Sequence, residues 1–204
     1  GIDIKKFTGI KRHHDGKPRV GLIGRVVNIK DVKTFIQAAK LVSSQIPGVE
    51  FYVVGPTDEE PDYFEECRIL VESLRLEDVI RFTGRRDVME IYAILDLVVL
   101  TSLSEAQPYV ILEANLCGIP VVATDVGACR ELLEGTASDD RLLGPSGLLT
   151  EVANSEDTAT AIVKLLTDRE LASRMARTGI ERVKKFYDQD DLLSRYLNIY
   201  ESNL

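Results

Sequence analysis

Two carboxylates, Glu105 and Glu113, are separated by seven residues, and two cations, Arg25 and Lys30, lie far upstream. Glu113 falls inside Val110-Ile111-Leu112-Glu113-Ala114, an otherwise apolar stretch of helical character. A carboxylate among aliphatic side chains is unfavourable unless something donates hydrogen bonds to it. Glu105 follows the apolar run Asp96-Leu97-Val98-Val99-Leu100, which is short enough for a buried parallel strand. Open α/β sheets bind ligands outside the carboxyl ends of such strands. The next helix opens near Pro108, where a missing N–H does no harm. Free N–H groups from Ala106, Gln107, Tyr109 and Val110 at that helix start suit an anion such as phosphate. Carboxylates beside an anion would repel its oxygens, so they are better read as acceptors from neutral hydroxyls. A ligand with a diphosphate at one end and a polyol at the other, as in a nucleotide sugar, fits both demands. The competing reading is a salt-bridged Glu113 and a solvated Glu105, because glutamate pairs are common.

Alternating strands and helices must position these groups. The stretch from Arg19 to Val26 reads as a first buried strand, followed by a turn over residues 27–31 and a helix from Val32 to Gln45. That helix carries Phe35, Ile36, Ala39 and Val42 on one face. Arg25 and Lys30 thereby flank a turn at the same sheet edge as Glu105. Val49 to Pro56 is a second strand with its turn, and the acidic run Asp58 to Glu66 leads into a helix as a charge bias and solvated face. Val79 to Gly84 is a third strand with Arg85 at its carboxyl end, where a side chain could stack on a base or stand in solvent. Pro120 to Thr124 is a further strand after the stop signal Cys117-Gly118-Ile119-Pro120, which completes a strand–helix–strand unit and forces parallel pairing. Gly127 suits the turn that follows, and Glu131 would cap or pair locally.

After a short strand at Leu148-Leu149-Thr150, Asn154 or Ser155 caps a helix with Ala159, Ile162, Val163 and Leu166 as its core stripe. Arg169 to Phe186 is more charged and is expected to pack on the outside. The fold class is therefore α/β, a doubly wound parallel sheet with extra C-terminal helices. Residues 1–18 read as a linker, 19–186 as a Rossmann-like nucleotide-sugar-binding domain and 187–204 as a C-terminal helix. His13 and His14 point to opposite sides of an extended linker and are read as surface residues. Asp188-Gln189-Asp190 precedes an amphipathic run and fits a helix start better than a metal site. Gly21-x-x-Gly24 is no dinucleotide fingerprint and no P-loop pattern occurs, which weighs against a nicotinamide dehydrogenase.

The run Ser104-Glu105-Ala106-Gln107-Pro108-Tyr109-Val110-Ile111-Leu112-Glu113-Ala114 resembles the Glu-x7-Glu motif of retaining, family 4 glycosyltransferases with the two-domain GT-B fold. It is most similar to the Pel exopolysaccharide (PelF-like) branch. The resemblance covers nearly the whole chain and is strongest from Thr101 to Gly127. It implies the C-terminal, donor-binding half of a metal-independent hexosyltransferase, with a UDP-sugar, UDP-glucose in the first place, as substrate and no cofactor. By the same resemblance Arg25 and Lys30, with Gly24 beside them, would hold the donor diphosphate. An Arg fork and a Lys point charge suit a pyrophosphate chemically. Glu113 would hold the ribose diol, Glu105 the hexose hydroxyls, and Gly84-Arg85-Arg86 would lie against the base. Two departures bear on hexose identity: Ala106 stands where the family often has Gly, and Pro108 where a residue with an N–H is common. Gly1-Ile2-Asp3 resembles the hinge with which the family's second domain begins, so an N-terminal Rossmann domain and the acceptor site are expected to be missing. The rival readings are a nucleotide-sugar epimerase of the same fold and a non-catalytic interaction domain.

Composition sets the outer bounds. At 204 residues, with 45% hydrophobic and 28% charged positions, the chain can bury one good core. A net charge of −8 argues against a nucleic-acid partner but not against a diphosphate held by local cations. Cys67, Cys117 and Cys129 lack metal-ligand spacing and read as buried thiols in a reducing compartment. No apolar run approaches the ~18 residues that span a bilayer. A cytoplasmic location is expected, with the full-length protein at the cytoplasmic face of an inner membrane and a glycan or polysaccharide as acceptor.

Overall fold

The computed structural model describes residues 1–13 and 15–201; His14 and the last three residues of the expected terminal helix lie outside the described residues. Six strands, β1 (Arg19–Ile23), β2 (Glu50–Val54), β3 (Ile80–Gly84), β4 (Leu97–Leu100), β5 (Val121–Thr124) and β6 (Gly147–Thr150), form one parallel sheet in the order β3-β2-β1-β4-β5-β6. Helix α1 (Ile4–Phe7) precedes the sheet. Between the strands run α2 (Val32–Ser43), α3 (Pro61–Ser73), α4 (Val88–Ile94), α5 (Tyr109–Leu116), α6 (Cys129–Glu134) and α7 (Ser138–Arg141). The chain closes with α8 (Ser155–Thr167), α9 (Arg169–Phe186) and α10 (Gln189–Glu201). Every residue of β4 and β5 is buried, which is why both read as continuous apolar runs.

The strand order reverses between β1 and β4. From β1 the chain works outward through β2 to β3, then returns to the other side of β1 and continues through β4, β5 and β6. The loops leaving β1 and β4 therefore diverge and open a crevice at the carboxyl edge. One face of the sheet is covered by α2, α3 and α8, with Phe35, Ile36, Phe51 and Ile162 at its core. The other is covered by α4, α5, α6 and α9, with Tyr92, Ile111, Leu112 and Val183 packed together.

Helix α9 does not lie outside as expected. It buries Met175, Thr178, Gly179, Arg182 and Val183 against α5 and the sheet. These positions form a helical stripe whose polar members hide it from a count of apolar residues. Gly179 lets the two helices touch, since a Cβ there would lie 2.6 Å from Asn115 Oδ1. The guanidinium of Arg182 is fully buried, and four of its five N–H groups are hydrogen-bonded. Its Nε donates to Asp140 Oδ1 (2.6 Å), Nη1 to Leu133 O (2.7 Å), and Nη2 to Asp140 O (3.1 Å) and Gly144 O (2.8 Å).

Residues 1–18 are anchored rather than loose. Ile2 and Phe7 are buried, and the Phe7 ring meets Tyr92 edge-on at 6.2 Å. Arg12 donates to Leu95 O and to Gly118 O, and its burial pushes the guanidinium pKa down against the opposing pull of Asp96. His13 is exposed, with its backbone N–H on Ala93 O (2.8 Å). Ile2 pairs in parallel with Asp188, bringing the first and last described segments side by side. Asp188 Oδ1 accepts from Asp190 N (3.0 Å) at the start of α10, and Asp190 pairs with Lys5, so both acids serve the helix start and its docking. All three thiols are buried, and burial pushes Cys67 and Cys129 up to about 11 and Cys117 up to about 12. Among the described residues no helix is long and apolar enough to cross a membrane.

Candidate functional site

The crevice at the strand-order reversal is built by two loops stitched together. β1 ends at Ile23, earlier than the sequence suggested, and residues 24–27 lead into a 3₁₀ turn, Asn28–Lys30. Asp31 follows at φ +45°, a left-handed conformation that costs a non-glycine residue about 1 kcal/mol or more. Hydrogen bonds hold it there. Its carboxylate accepts from Thr34 N and from Thr34 Oγ1 (2.6 Å) at the start of α2. From the β4 loop, Thr101 Oγ1 is shared between Lys30 O (3.1 Å) and Asp31 O (2.9 Å), and Leu103 N donates to Ile29 O (2.8 Å). The position of Lys30 is thus dictated by the loop that carries Glu105.

Lys30 Nζ lies 2.5 Å from Glu105 Oε1, and Ser102 Oγ donates to the same oxygen at 2.7 Å. The Glu105 side chain is only 11% exposed, so this pair is shielded from solvent screening. Both contacts fall on Oε1; Oε2 has no protein partner among the described residues. Ser102 is itself fixed, because its carbonyl accepts from Thr124 Oγ1 on β5 (2.6 Å). A cavity of about 200 Å³ opens here, lined by Lys30, Ser102, Glu105, Gln107, Tyr109 and Val110 among others. Pro108 is the N-cap of α5 rather than its first residue, and the first bond of that end runs from Ile111 N to Pro108 O (3.1 Å). The N–H groups of Tyr109 and Val110 therefore precede the helical ladder and stand at the cavity wall. Ala106 and Gln107 lie before the helix, and the Ala106 carbonyl accepts from Ala128 N (3.1 Å).

The remaining residues expected to join them are placed differently. Arg25 does not line the cavity. Two residues beyond β1 its side chain is 54% exposed and meets Glu59 Oε2 at 2.7 Å. Glu60 Oε2 accepts from Asn28 N (2.9 Å), so the acidic run after β2 clamps the β1–α2 turn instead of being wholly solvated. Gly24 lies beside the Lys30 stem, with Lys30 Cε 3.6 Å from where its Cβ would be. Arg85 is exposed at the end of β3, two strands away from β1. Glu113 is half-buried one turn along α5, outside the cavity lining, and its Oε2 accepts from Tyr92 OH at 2.7 Å. The alternative of a salt-bridged Glu113 and a solvated Glu105 is reversed: the ion pair belongs to Glu105, and Glu113 has a neutral donor.

Thr101, Ser102, Tyr92 and Glu59 are the participants that sequence reasoning passed over. Two hydroxyls directly after a buried strand were a usable signal for the first pair. Nothing local marks Tyr92 or Glu59. Gly127 has a stronger reason than its turn. At φ +51° its Cβ would sit 1.7 Å from Glu105 O, so the backbone after β5 passes directly against the Glu105 loop. Gly127→Ala is expected to shift that loop and cost about 1–3 kcal/mol, read as a lowered Tm. A Tm unchanged within a degree would show that the approach is not required.

Residues 17–168 match the family described as glycosyl transferases group 1. Over 97% of its length the chain is 31% identical to N-acetyl-alpha-D-glucosaminyl L-malate synthase of Bacillus anthracis, covering 48% of that protein. The chain spans about half the length of the curated relatives it matches. Its fold superposes with a TM-score of 0.77 and 26% identity on the C-terminal domain of a Francisella tularensis glycosyl transferase group 1 protein, LpcC, covering 93% of this chain and 100% of that one. With Anabaena Alr3699/HepE in complex with UDP-glucose the TM-score is 0.84 at 25% identity, over 99% of this chain and 56% of that one.

Proposed function

Because the chain belongs to the group 1 glycosyl transferases, with the GT-B Rossmann-like fold, we propose that it is the donor-binding half of a retaining enzyme. That enzyme moves a hexose from a UDP-sugar to a glycan acceptor. The observation that carries this reading is the close pair Lys30–Glu105 at the mouth of a cavity walled by the start of α5. Lys30 and the Tyr109 and Val110 N–H groups meet the diphosphate. As the bond from the anomeric carbon to the phosphate oxygen breaks, its electron pair passes to the diphosphate, and these groups stabilise the growing charge. The acceptor hydroxyl oxygen bonds to the anomeric carbon, and its proton passes to the departing phosphate oxygen. Glu105 then turns its carboxylate to the hexose hydroxyls, and Glu113 accepts from the ribose diol. Arg25 joins the diphosphate by leaving Glu59, an exposed pair that costs little to open. Arg85 lies against the base. No metal is required on this account, since fixed cations take its part.

UDP-glucose is favoured as donor by the likeness to HepE, whose structures hold UDP and UDP-glucose. Residues 104–114 favour the Pel exopolysaccharide branch, with synthesis at the cytoplasmic side of a membrane. The missing half supplies the acceptor site and an N-terminal Rossmann domain. The test is calorimetric titration of this chain with UDP, followed by a sugar-transfer assay. Weak binding at millimolar concentration with no transfer is expected. Heat-silent mixing at that concentration would sink the donor site, and turnover by the chain alone would sink its assignment as one half of the machinery.

A further inference from the structure

We propose that Tyr92 is a positioning residue for nucleotide recognition: it fixes Glu113 so that one edge of the carboxylate is presented to the ribose diol. This rests on the role given to Glu113 above. Tyr92 sits on α4, a different element from the acid it holds, and its side chain is fully buried. Its hydroxyl donates to Glu113 Oε2 at 2.7 Å, within the range of a strong charge-assisted bond. Burial and the adjacent carboxylate push the phenol pKa well above its usual value of 10.0, so at neutral pH it keeps its proton and donates.

The geometry matters because a glutamate side chain has three rotatable bonds. Left alone in a half-apolar setting, Glu113 would swing toward water, since an unpaired carboxylate is costly to desolvate. An ionised carboxylate has about four lone-pair sites. The phenol takes one on Oε2, and Oε1 has no protein partner among the described residues. A vicinal diol brings two O–H donors, and the open sites accommodate both. The phenol is held in turn by the Phe7 ring, 6.2 Å away and inclined at 73°. The segment preceding the sheet therefore stands behind the orientation of an acid on α5.

The experiment compares UDP with 2′-deoxy-UDP by calorimetry on the chain, on Tyr92→Phe and on Glu113→Gln. Phenylalanine keeps the ring against Phe7 and removes only the hydroxyl. The unsubstituted chain is expected to prefer UDP by roughly tenfold, the size of one hydrogen bond to a charged group. Tyr92→Phe should bring that preference close to unity, weakening 2′-deoxy-UDP, which keeps one of the two hydroxyls, by less than UDP. Glu113→Gln should do the same, and the double variant should be no worse than either. A preference lost in Glu113→Gln but kept in Tyr92→Phe overturns the positioning role and leaves the ribose contact standing. Equal weakening of both nucleotides in Tyr92→Phe, or additive losses in the double variant, also overturns it, as those are marks of a loosened fold. A preference kept in Glu113→Gln overturns the ribose role and this inference with it. If UDP fails to bind the unsubstituted chain, the functional reading and this inference fall together.

Discussion

Arg182→Ala is expected to lower the stability of the chain by about 3–5 kcal/mol, a drop in Tm of about 6–20 °C for a domain of this size. The substitution leaves a buried Asp140 carboxylate without its counter-charge and strips a donor from each of three carbonyls, those of Leu133, Asp140 and Gly144. Those groups run from the last turn of α6 to the loop before β6, so the loss falls on the edge of the sheet and on the docking of α9. Thermal unfolding with circular dichroism measures it. The paired variant Arg182→Met with Asp140→Leu should recover much of the loss, because removing both charges leaves neither unpaired. A Tm for Arg182→Ala within about 2 °C of the parent, about 1 kcal/mol or less, would show that water replaces the guanidinium.

The second large effect concerns Lys30. On the proposed function, Lys30→Ala should reduce sugar transfer by the full-length protein roughly 10²–10³-fold. Nucleotide diphosphate binding by the chain should weaken with it. The cause is not only a lost cation. In the alanine variant Glu105 keeps Ser102 Oγ as its donor (2.7 Å) but has no positive neighbour, and it then faces the diphosphate as a bare negative charge. Removing both members is accordingly milder: Lys30→Ala with Glu105→Gln should bind UDP more tightly than Lys30→Ala alone. Steady-state kinetics and calorimetry read the two halves of this expectation. If the double variant binds no better, the repulsion account is wrong.

The sheet was legible because its central strands are buried on both faces. Leu97 to Leu100 and Val121 to Ala123 are unbroken apolar runs, too short for a buried helix and bounded by turn residues. That ligand groups gather outside the carboxyl ends of such strands was legible too; the reversal of order between β1 and β4 that opens the crevice was not. The reach of individual side chains was not legible. Arg25 and Lys30 are five positions apart in one turn, and sequence spacing cannot tell which will find a carboxylate from the loop after β2 and which from the loop after β4. Helix α9 was misread because Thr178, Gly179 and Arg182 do not look like core, although each has a specific partner there: Leu143 O, Asn115 and Asp140. Tyr92 escaped for a related reason, since only the packing of α4 near α5 makes its hydroxyl the neighbour of Glu113.

On the proposed function, the contact between Lys30 and Glu105 sets which nucleotide the site holds more tightly. A diphosphate that draws the ammonium away deprives the acid of its companion, and only a guest that also carries alcohols can make up the loss. An intact sugar donor satisfies both ends at once. A spent nucleotide would satisfy only one, so on that reading the site holds it less tightly than the intact donor and releases it more readily.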